Sequence, residues 1–275
     1  MSAGGMSAGG TSAGGMSAPP PRFGRAARVM WTRVAVMAGL VLLLEVLCRT
    51  QIIKPLTMVP PSVMAGEMLR LVAAGEITGD IAQTATEVGA AFSVSALAGF
   101  VLGALVHAMP RVRRAIDPLL ASWYAVPFFV FYPLLVALFG LNALPLIAIG
   151  VVFATPAMML STIAGLDRVP RVLRKVARVH RMSPVREVAL ITLPSAAPHL
   201  FTGLKLSFAY AFIGVIAGEF ILSSGGLGYG IAYAYESFEN KRMYALMLLV
   251  LLVATGVNGV LQICETRLAR RRARA

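Results

Sequence analysis

The chain has 275 residues, of which 58% are hydrophobic and only 13% are charged, and its formal net charge is +13. So few charges leave too little polar surface to solvate a water-soluble globule of this length. The charges are also segregated, because three long segments contain no Asp, Glu, Lys or Arg: Val88 to Met109, Pro118 to Leu166 and Met243 to Cys264. This pattern predicts an all-α membrane protein.

The uncharged segments set the number of membrane spans. A helix crosses the hydrocarbon core with roughly 20 apolar residues, so the first and last segments supply one span each. The middle segment is long enough for two, with a break at Gly140-Leu141-Asn142. Two further apolar segments are accepted although they carry charges, because a basic side chain near a helix end can reach the interface. The six predicted helices are about 29–48, 88–109, 118–140, 143–166, 199–222 and 243–264.

The basic residues predict the orientation. Short cytoplasmic loops hold the excess of Lys and Arg in membrane proteins. With both termini cytoplasmic, the inner segments collect every Lys and Arg except Arg49, Lys54, Arg70, Lys205, Lys241 and Arg242. The membrane therefore accounts for the positive charge, and nucleic-acid binding is the weaker interpretation.

The two ends of the chain differ from the middle in composition. Residues 1–28 begin with repeats of Met-Ser-Ala-Gly-Gly and are predicted to be a disordered, low-complexity cytoplasmic tail. Residues 29–265 form the predicted transmembrane domain, and residues 266–275 a basic cytoplasmic tail. The first span has no evident cleavage site, so we expect it to stay as a signal anchor in a bacterial inner membrane. A transit peptide is the weaker alternative, since the region contains Arg and no acidic residue before Glu45.

Motifs for catalysis or metal binding are missing from the sequence. The histidines His107, His180 and His199 are far apart and have no second His or Cys at ligand spacing, so no metal site is expected. No Gly-Lys pair occurs, which excludes a Walker A loop. A membrane enzyme would need a clustered nucleophile, base or metal set, and none is seen. We therefore expect no enzyme and no cofactor in this chain.

The long basic segment 167–198 connects the fourth and fifth predicted spans. Val172, Val176 and Val179 form an apolar stripe on an otherwise basic helix, and Ser183-Pro184 is typical of the start of a second helix, with Ser as N-cap and Pro at the first position. Ile191 to Pro194 is expected to end that helix before the membrane. The segment is interpreted either as a basic helix lying on anionic lipid or as a docking element for a soluble partner.

Several short motifs occur in a recognisable order. They are Pro60-Pro61-Ser62, Val126-Pro127, Phe139-Gly140-Leu141, Leu193-Pro194, Ala217-Gly218-Glu219-Phe220 and Gly226-Leu227-Gly228. Together they resemble the permease subunits of binding-protein-dependent ABC importers, of the nitrate, sulfonate and taurine type. The resemblance covers roughly residues 30–268 and implies the type I ABC importer permease fold.

That family implies a coupling loop that docks on an ATPase, with the pattern Glu-Ala-Ala, three residues, Gly, nine residues, Ile-x-Leu-Pro. Ile191, Leu193 and Pro194 match its end. The Glu-Ala-Ala positions hold Lys175, Val176 and Ala177, and the Gly position holds Arg181. The loss of Gly removes a permissive backbone position, and Lys175 reverses a charge. Ser183 and Pro184 complete the expected coupling residues.

Candidate residues for a transport pathway lie where the backbone is irregular or a charge is buried. Pro127 and Pro133 interrupt the third predicted span, although ordinary packing kinks are an equal alternative. Glu219 lies 14 residues beyond Lys205, about 21 Å along a helix, which places it near the outer mouth. There it is expected to line the entrance or to brace the Gly225 to Gly228 loop, with Gly226 and Gly228 as further gate candidates. The alternatives are structural pairing and simple exposure at the interface.

Two pairs of glycines have the spacing of close helix contacts. Gly99 with Gly103, and Gly214 with Gly218, are small-xxx-small pairs and are predicted to be structural.

The resemblance implies a division of labour between several chains. Two permease subunits, identical or homologous, would form the pathway, two ATPases would dock below and bind ATP and Mg²⁺, and an extracytoplasmic binding protein would deliver the solute. The alternative is a stand-alone secondary transporter, for which neither mid-membrane coupling-ion residues nor an internal repeat is seen. The sequence does not identify the solute.

Overall fold

The computed structural model describes residues 23–54 and 57–272. Among these residues the chain folds entirely into helices joined by short turns. The α-helices are α1 Phe23–Arg49, α2 Pro61–Ala73, α3 Thr78–Ala108, α4 Pro110–Ser122, α5 Tyr132–Phe139, α6 Ala143–Asp167, α7 Arg171–Val179, α8 Pro184–Glu187, α9 Leu193–Leu222, α10 Leu227–Glu236 and α11 Asn240–Arg272. Five helical stretches are long and apolar enough to cross a membrane, and the bent pair α4–α5 makes a sixth if it counts as one span.

Several helices are longer in the structure than predicted. The expected tail 1–28 overlaps α1, which begins at Phe23, whereas residues 1–22 lie outside the described part of the chain. The expected helix 88–109 begins ten residues earlier, at Thr78, because its polar residues find partners inside the bundle. The expected helix 243–264 extends from Asn240 to Arg272, so most of the basic tail 266–275 continues the last helix.

The third predicted span, 118–140, is not one helix. The chain runs as α4 to Ser122, makes two 3₁₀ turns at Trp123–Ala125 and Phe128–Phe131, and then forms α5, with a bend of 86° between the two halves. Pro127 lies in the break, where its missing amide N–H and fixed φ prevent a continuous helix. Pro133 lies at the start of α5, where a proline is tolerated.

The turn between α5 and α6 has the position expected from Gly140-Leu141-Asn142. Gly140 has a φ of +81° after the end of α5. The Asn142 side chain then caps α6 by accepting a hydrogen bond of 2.8 Å from the Leu144 amide. This cap satisfies one of the free amides at the start of a helix and fixes where the fourth span begins.

Helix α6 is the centre of the bundle, and α3 and α9 pack on it through glycines. A Cβ on Gly99 would lie 2.6 Å from the Thr155 carbonyl oxygen, and one on Gly214 would lie 2.9 Å from Gly150 Cα. Only glycine permits backbones to approach this closely. The prediction that these glycine pairs are structural is confirmed, and both pairs face the same helix.

The basic segment is shorter than the predicted loop 167–198, and no break separates it from the fifth membrane span. After α8 the chain forms one π-helical turn, Val188–Thr192, and passes directly into α9 at Leu193. The prediction that Ile191 to Pro194 ends a helix was wrong, because the wider π turn accommodates Pro194, which lacks an amide N–H. The fifth span therefore begins at Leu193 rather than at 199, and α8 and α9 form one continuous helical stretch.

Candidate functional site

A buried carboxylate joins three helices at the end of the bundle opposite the basic segment. Glu219, near the end of α9, has no exposed surface. The Thr84 hydroxyl, on α3, lies 2.7 Å from its Oε1 and 3.0 Å from its Oε2. The amide of Gly228, on α10, donates to Oε2 at 2.8 Å. Of the alternatives for Glu219, interfacial exposure is excluded, whereas bracing of the Gly225 to Gly228 loop agrees with the bond to Gly228; the carboxyl group joins α3 to α10.

Three amides at the start of α10 donate to side chains from neighbouring helices. The Gly226 amide donates to Asp80 at 3.2 Å, and the Leu227 amide donates to the Thr84 hydroxyl at 2.9 Å. With the Gly228 amide on Glu219, three donors at this helix N-terminus meet acidic or hydroxyl oxygens. Such groups stabilise the positive end of a helix dipole. We call residues 80, 84, 219 and 226–228 the α10 latch.

Two glycines of the α10 latch have no room for a side chain. Gly226 has a φ of +95°, and a Cβ there would lie 2.5 Å from the Glu219 carboxyl carbon. A Cβ on Gly228 would lie 2.5 Å from the Ile216 carbonyl oxygen and 2.6 Å from Glu219 Cβ. The motif Gly226-Leu227-Gly228 therefore allows α10 to sit directly against the end of α9.

A second buried carboxyl group was missed by the sequence reasoning. Glu87, on α3, is 2% exposed and accepts a 3.0 Å hydrogen bond from Gln83 Nε2. It lies one helical turn from Thr84, which bonds Glu219. The predicted span began at Val88, just after this residue. A signal was present, because residues 80, 83, 84 and 87 repeat with helical spacing and so share one face of α3.

A cavity of about 250 Å³ lies beside this cluster. Gln83, Tyr132, Asn142 and Ser223 are among the side chains that line it. Tyr132 immediately precedes Pro133, so the start of α5 contributes to the cavity wall. Pro127 lies instead beside Phe128, whose ring packs against Trp123 and Phe153.

At the other end of the bundle, α7 ends at the position where the family pattern has glycine. Arg181 has a φ of +47°, in the left-handed region. The Met182 amide donates to the Ala177 carbonyl at 3.0 Å, and the Arg181 amide donates to the Arg178 carbonyl at 3.1 Å. These two bonds are the Schellman motif, in which the left-handed residue is usually glycine. The backbone of the glycine pattern is thus kept, although an arginine occupies it.

The second helix of the segment starts as expected. Ser183 is the N-cap of α8 and accepts a hydrogen bond of 3.4 Å from the Arg186 amide, and Pro184 follows at the first helical position. Ile191 lies in the π turn, and Leu193 and Pro194 begin α9. All three are partly buried, so this end of the segment is packed rather than free.

Four apolar side chains of the segment are exposed. We call them together the valine face; they are Val172, Val179, Val185 and Leu190, each more than 60% exposed. Val176 is 43% exposed and Lys175 is also exposed, whereas Ala177 is buried against the bundle. The structure thus separates the three positions of the Glu-Ala-Ala pattern into two outward residues and one packed residue.

The base of the segment is fixed to the bundle by arginines. Arg113 on α4 donates two hydrogen bonds, of 2.9 and 2.7 Å, to Asp167 at the end of α6. Arg174 on α7 donates to the Leu166 carbonyl at 3.4 Å. Planar bidentate pairs of this kind are geometrically specific. The segment is therefore held in a defined position next to α6.

These features define a multi-pass helical membrane protein. One end of its bundle contains the α10 latch, and the other end carries the basic segment with the valine face. Residues 95–274 match the family model described as "Binding-protein-dependent transport system inner membrane component". The chain belongs to this family. It is therefore a membrane-spanning permease subunit of an ABC importer in the bacterial inner membrane, and a transport subunit rather than an enzyme.

Curated relatives agree with this assignment. The chain is 28% identical to the nitrate import permease protein NrtB of Leptolyngbya laminosa over 68% of this chain and 67% of that protein. It is 26% identical to the putative aliphatic sulfonates transport permease protein SsuC of Bacillus subtilis over 86% and 88%. The match to the bicarbonate transport system permease protein CmpB of Synechococcus elongatus is 29% identical but spans only 55% of each protein.

A solved structure shows the same fold. A chain of the MetNI methionine ABC transporter in an inward-facing conformation superposes with a TM-score of 0.55 and 21% identity, covering 70% of this chain and 95% of that chain. The fold and the family set aside the stand-alone transporter that remained as an alternative.

Proposed function

We propose that this chain couples ATP hydrolysis by a separate subunit to solute movement through the segment that carries the valine face. The observation that supports this most directly is the exposure of Val172, Val179, Val185 and Leu190 beside many arginines. An apolar stripe in an otherwise basic surface favours a protein partner over water. The partner is an ABC ATPase, which binds ATP and Mg²⁺, so that this chain needs no cofactor of its own.

The fold suggests how such docking reaches the membrane. Because α8, the π turn and α9 form one continuous helical stretch, a displacement at Val185 moves the base of α9. The far end of α9 carries Glu219 and the α10 latch. We propose that α9 transmits the movement of the ATPase to this end of the pathway, where Glu219, Gly226 and Gly228 form the gate.

The family and the exposed helices support the remaining proposed partners. Helix α1 is mostly exposed, and α11 exposes Leu251, Val260 and Ile263 although Ala245 and Leu246 pack in the core, so these apolar surfaces are available to lipid and to a second permease copy or a homologous permease. An extracytoplasmic binding protein delivers the solute to the α10 end. With both termini cytoplasmic, this end faces outward.

The proposed solute class is a small oxyanion. Relatives carry names that refer to nitrate, aliphatic sulfonates and bicarbonate, which share a compact anionic group with several oxygen atoms. The choice among such anions is expected to lie largely with the binding protein.

The coupling role is tested by co-expressing the chain with its ATPase and purifying the complex. Val185→Asp places a charge on the valine face and is expected to reduce ATPase recovery about tenfold or more, since a buried unpaired charge is strongly unfavourable in an interface. Val72→Asp, at an exposed position on α2 away from the segment, is the matched control and should leave recovery unchanged. Equal recovery with both variants would show that the valine face lies on lipid instead.

A further inference from the structure

Two carboxyl groups from different helices meet in the interior of the bundle. Glu87 on α3 is 2% exposed and Glu219 on α9 is 0% exposed. Their hydrogen-bond partners, Gln83 and Thr84, are adjacent residues of α3, which places the two carboxyl groups close to each other. Two ionised carboxylates this close repel each other, and the repulsion grows as the effective dielectric constant falls. Burial makes the doubly charged state still less favourable.

One carboxyl oxygen of the pair has no hydrogen-bond donor in the described structure. Glu219 receives the Thr84 hydroxyl and the Gly228 amide. Glu87 Oε1 receives Gln83 Nε2 at 3.0 Å. The other oxygen, Glu87 Oε2, is fully buried and has no hydrogen-bond partner among the residues that the structure describes. A proton between the two carboxyl groups would supply the missing bond.

The surrounding helices bring no cation to the pair in the described structure. Asp80 on α3 and Tyr132 on α5 are the ionisable side chains nearest in the network, and neither carries positive charge. Helix α6 has no ionisable residue between Ala143 and Leu166, and Glu236 on α10 is exposed. Lys205 on α9 pairs with Glu265 on α11.

The positive side chains at the start of α11 are also turned to other partners. Arg242 lies 3.7 Å from Glu76, and Lys241 borders a separate surface cavity with Glu67 and Glu239. No described lysine or arginine therefore neutralises Glu87 or Glu219.

We propose that Glu87 and Glu219 form a proton-binding site in which one proton is shared between the two carboxyl groups and keeps the α10 latch closed. The proton leaves a single negative charge, which the Thr84 hydroxyl and the Gly228 amide stabilise. Loss of this proton places a second charge against the first and drives Glu219 away from Gly228. Release of the Gly226–Gly228 amides then frees the start of α10.

The proton is tested by infrared spectroscopy of the purified full-length chain in lipid nanodiscs. A protonated, buried carboxylic acid gives a carbonyl stretching band distinct from that of carboxylates. We expect this band at neutral pH in the wild-type chain and expect it to be absent in Glu87→Gln and in Glu219→Gln. Glu236→Gln, at an exposed position on α10, is the matched control and should keep the band. Absence of the band in the wild-type chain, or its persistence in both pair variants, would overturn the proposal.

The latch is tested separately by hydrogen exchange of the Gly226, Leu227 and Gly228 amides, expressed as protection factors so that the intrinsic effect of pH is removed. In the wild-type chain, protection is expected to fall about tenfold or more when the pH is raised until the infrared band disappears. In Glu87→Gln the neutral amide donates permanently, so protection should stay high across the same range. A pH-independent wild-type chain, or protection that follows sodium concentration instead, would contradict a proton-held latch.

Discussion

Thr84 and Glu219 are 135 residues apart in the chain, yet the hydroxyl of one lies 2.7 Å from the carboxyl group of the other. The same hydroxyl oxygen accepts the Leu227 amide at 2.9 Å, so Thr84 joins α3, α9 and α10 through one atom. A side chain that serves as donor and acceptor between three buried elements cannot be replaced without leaving at least one of them unsatisfied.

Thr84→Val keeps the shape of this side chain and removes both hydrogen bonds. We expect a loss of about 2 kcal/mol, because the buried Leu227 amide is left unpaired. This corresponds to a decrease of roughly 4 to 8 °C in Tm for a protein of this size. Thr86→Val is the matched control, since the Thr86 hydroxyl is exposed and bonds only to the Gln83 carbonyl of its own helix. Equal Tm values for the two variants would rule out this role of Thr84.

Gly228→Ala tests whether α10 must contact α9 directly. A Cβ would lie 2.5 Å from the Ile216 carbonyl oxygen, a backbone atom that cannot move alone. We expect about 3 kcal/mol of destabilisation and faster exchange of the α10 amides. Gly89→Ala on α3, where nothing lies within 4 Å of the added atom, should be neutral or slightly stabilising. The contact is refuted if both substitutions have the same effect in thermal unfolding.

Arg181→Gly restores the residue type that the family pattern has at the end of α7. A non-glycine residue with a φ of +47° destabilises the folded chain by about 1 kcal/mol. Glycine removes this cost but also makes the unfolded chain more flexible, which offsets part of the gain in stability. We therefore expect stronger protection of the Met182 amide in hydrogen exchange. Arg178→Gly, inside the last turn of α7, should instead weaken it by about 1 kcal/mol. A decrease in protection with Arg181→Gly would show that the arginine side chain stabilises this turn.

Gly103→Val tests the packing of α3 on α6. The added Cβ would lie 2.8 Å from the Met159 carbonyl oxygen and from Thr162 Cβ. We expect the helices to separate, with a loss of about 3 kcal/mol and a lower yield of monodisperse protein in detergent. Gly259→Val on α11, where the site is open, serves as the control. Similar size-exclusion profiles for the two variants would contradict tight packing at Gly103.

Much of this architecture could be predicted because it depends on local signals. The uncharged segments, the turn at Gly140 to Asn142, the Ser183-Pro184 helix start and the two glycine pairs each carry their signal within a few neighbouring residues. Residue type and helical spacing are enough to read such features. The 14-residue spacing from Lys205 likewise predicted that Glu219 lies at the outer end of its helix, near the Gly225 to Gly228 loop.

Features that depend on tertiary partners could not be predicted in the same way. Glu87 marked the end of a predicted span because an isolated charge is unfavourable in a membrane, yet in the fold it is buried and accepts a hydrogen bond from Gln83. The 86° bend between α4 and α5 needed more than the presence of Pro127, since many membrane helices contain proline without such a break. The left-handed backbone conformation of Arg181 could not be predicted either, because non-glycine residues rarely adopt it.

The most direct test of the account is photo-crosslinking from the valine face in membranes that contain the assembled transporter. A photoreactive phenylalanine analogue is placed at position 185 in one variant and at position 72 in another, both exposed in the described structure. Position 185 is predicted to crosslink to the ATPase subunit, with a yield that changes when ATP is added, whereas position 72 is predicted to give no ATPase crosslink. A crosslink to lipid alone from position 185, or equal ATPase crosslinking from both positions, would contradict the proposed coupling.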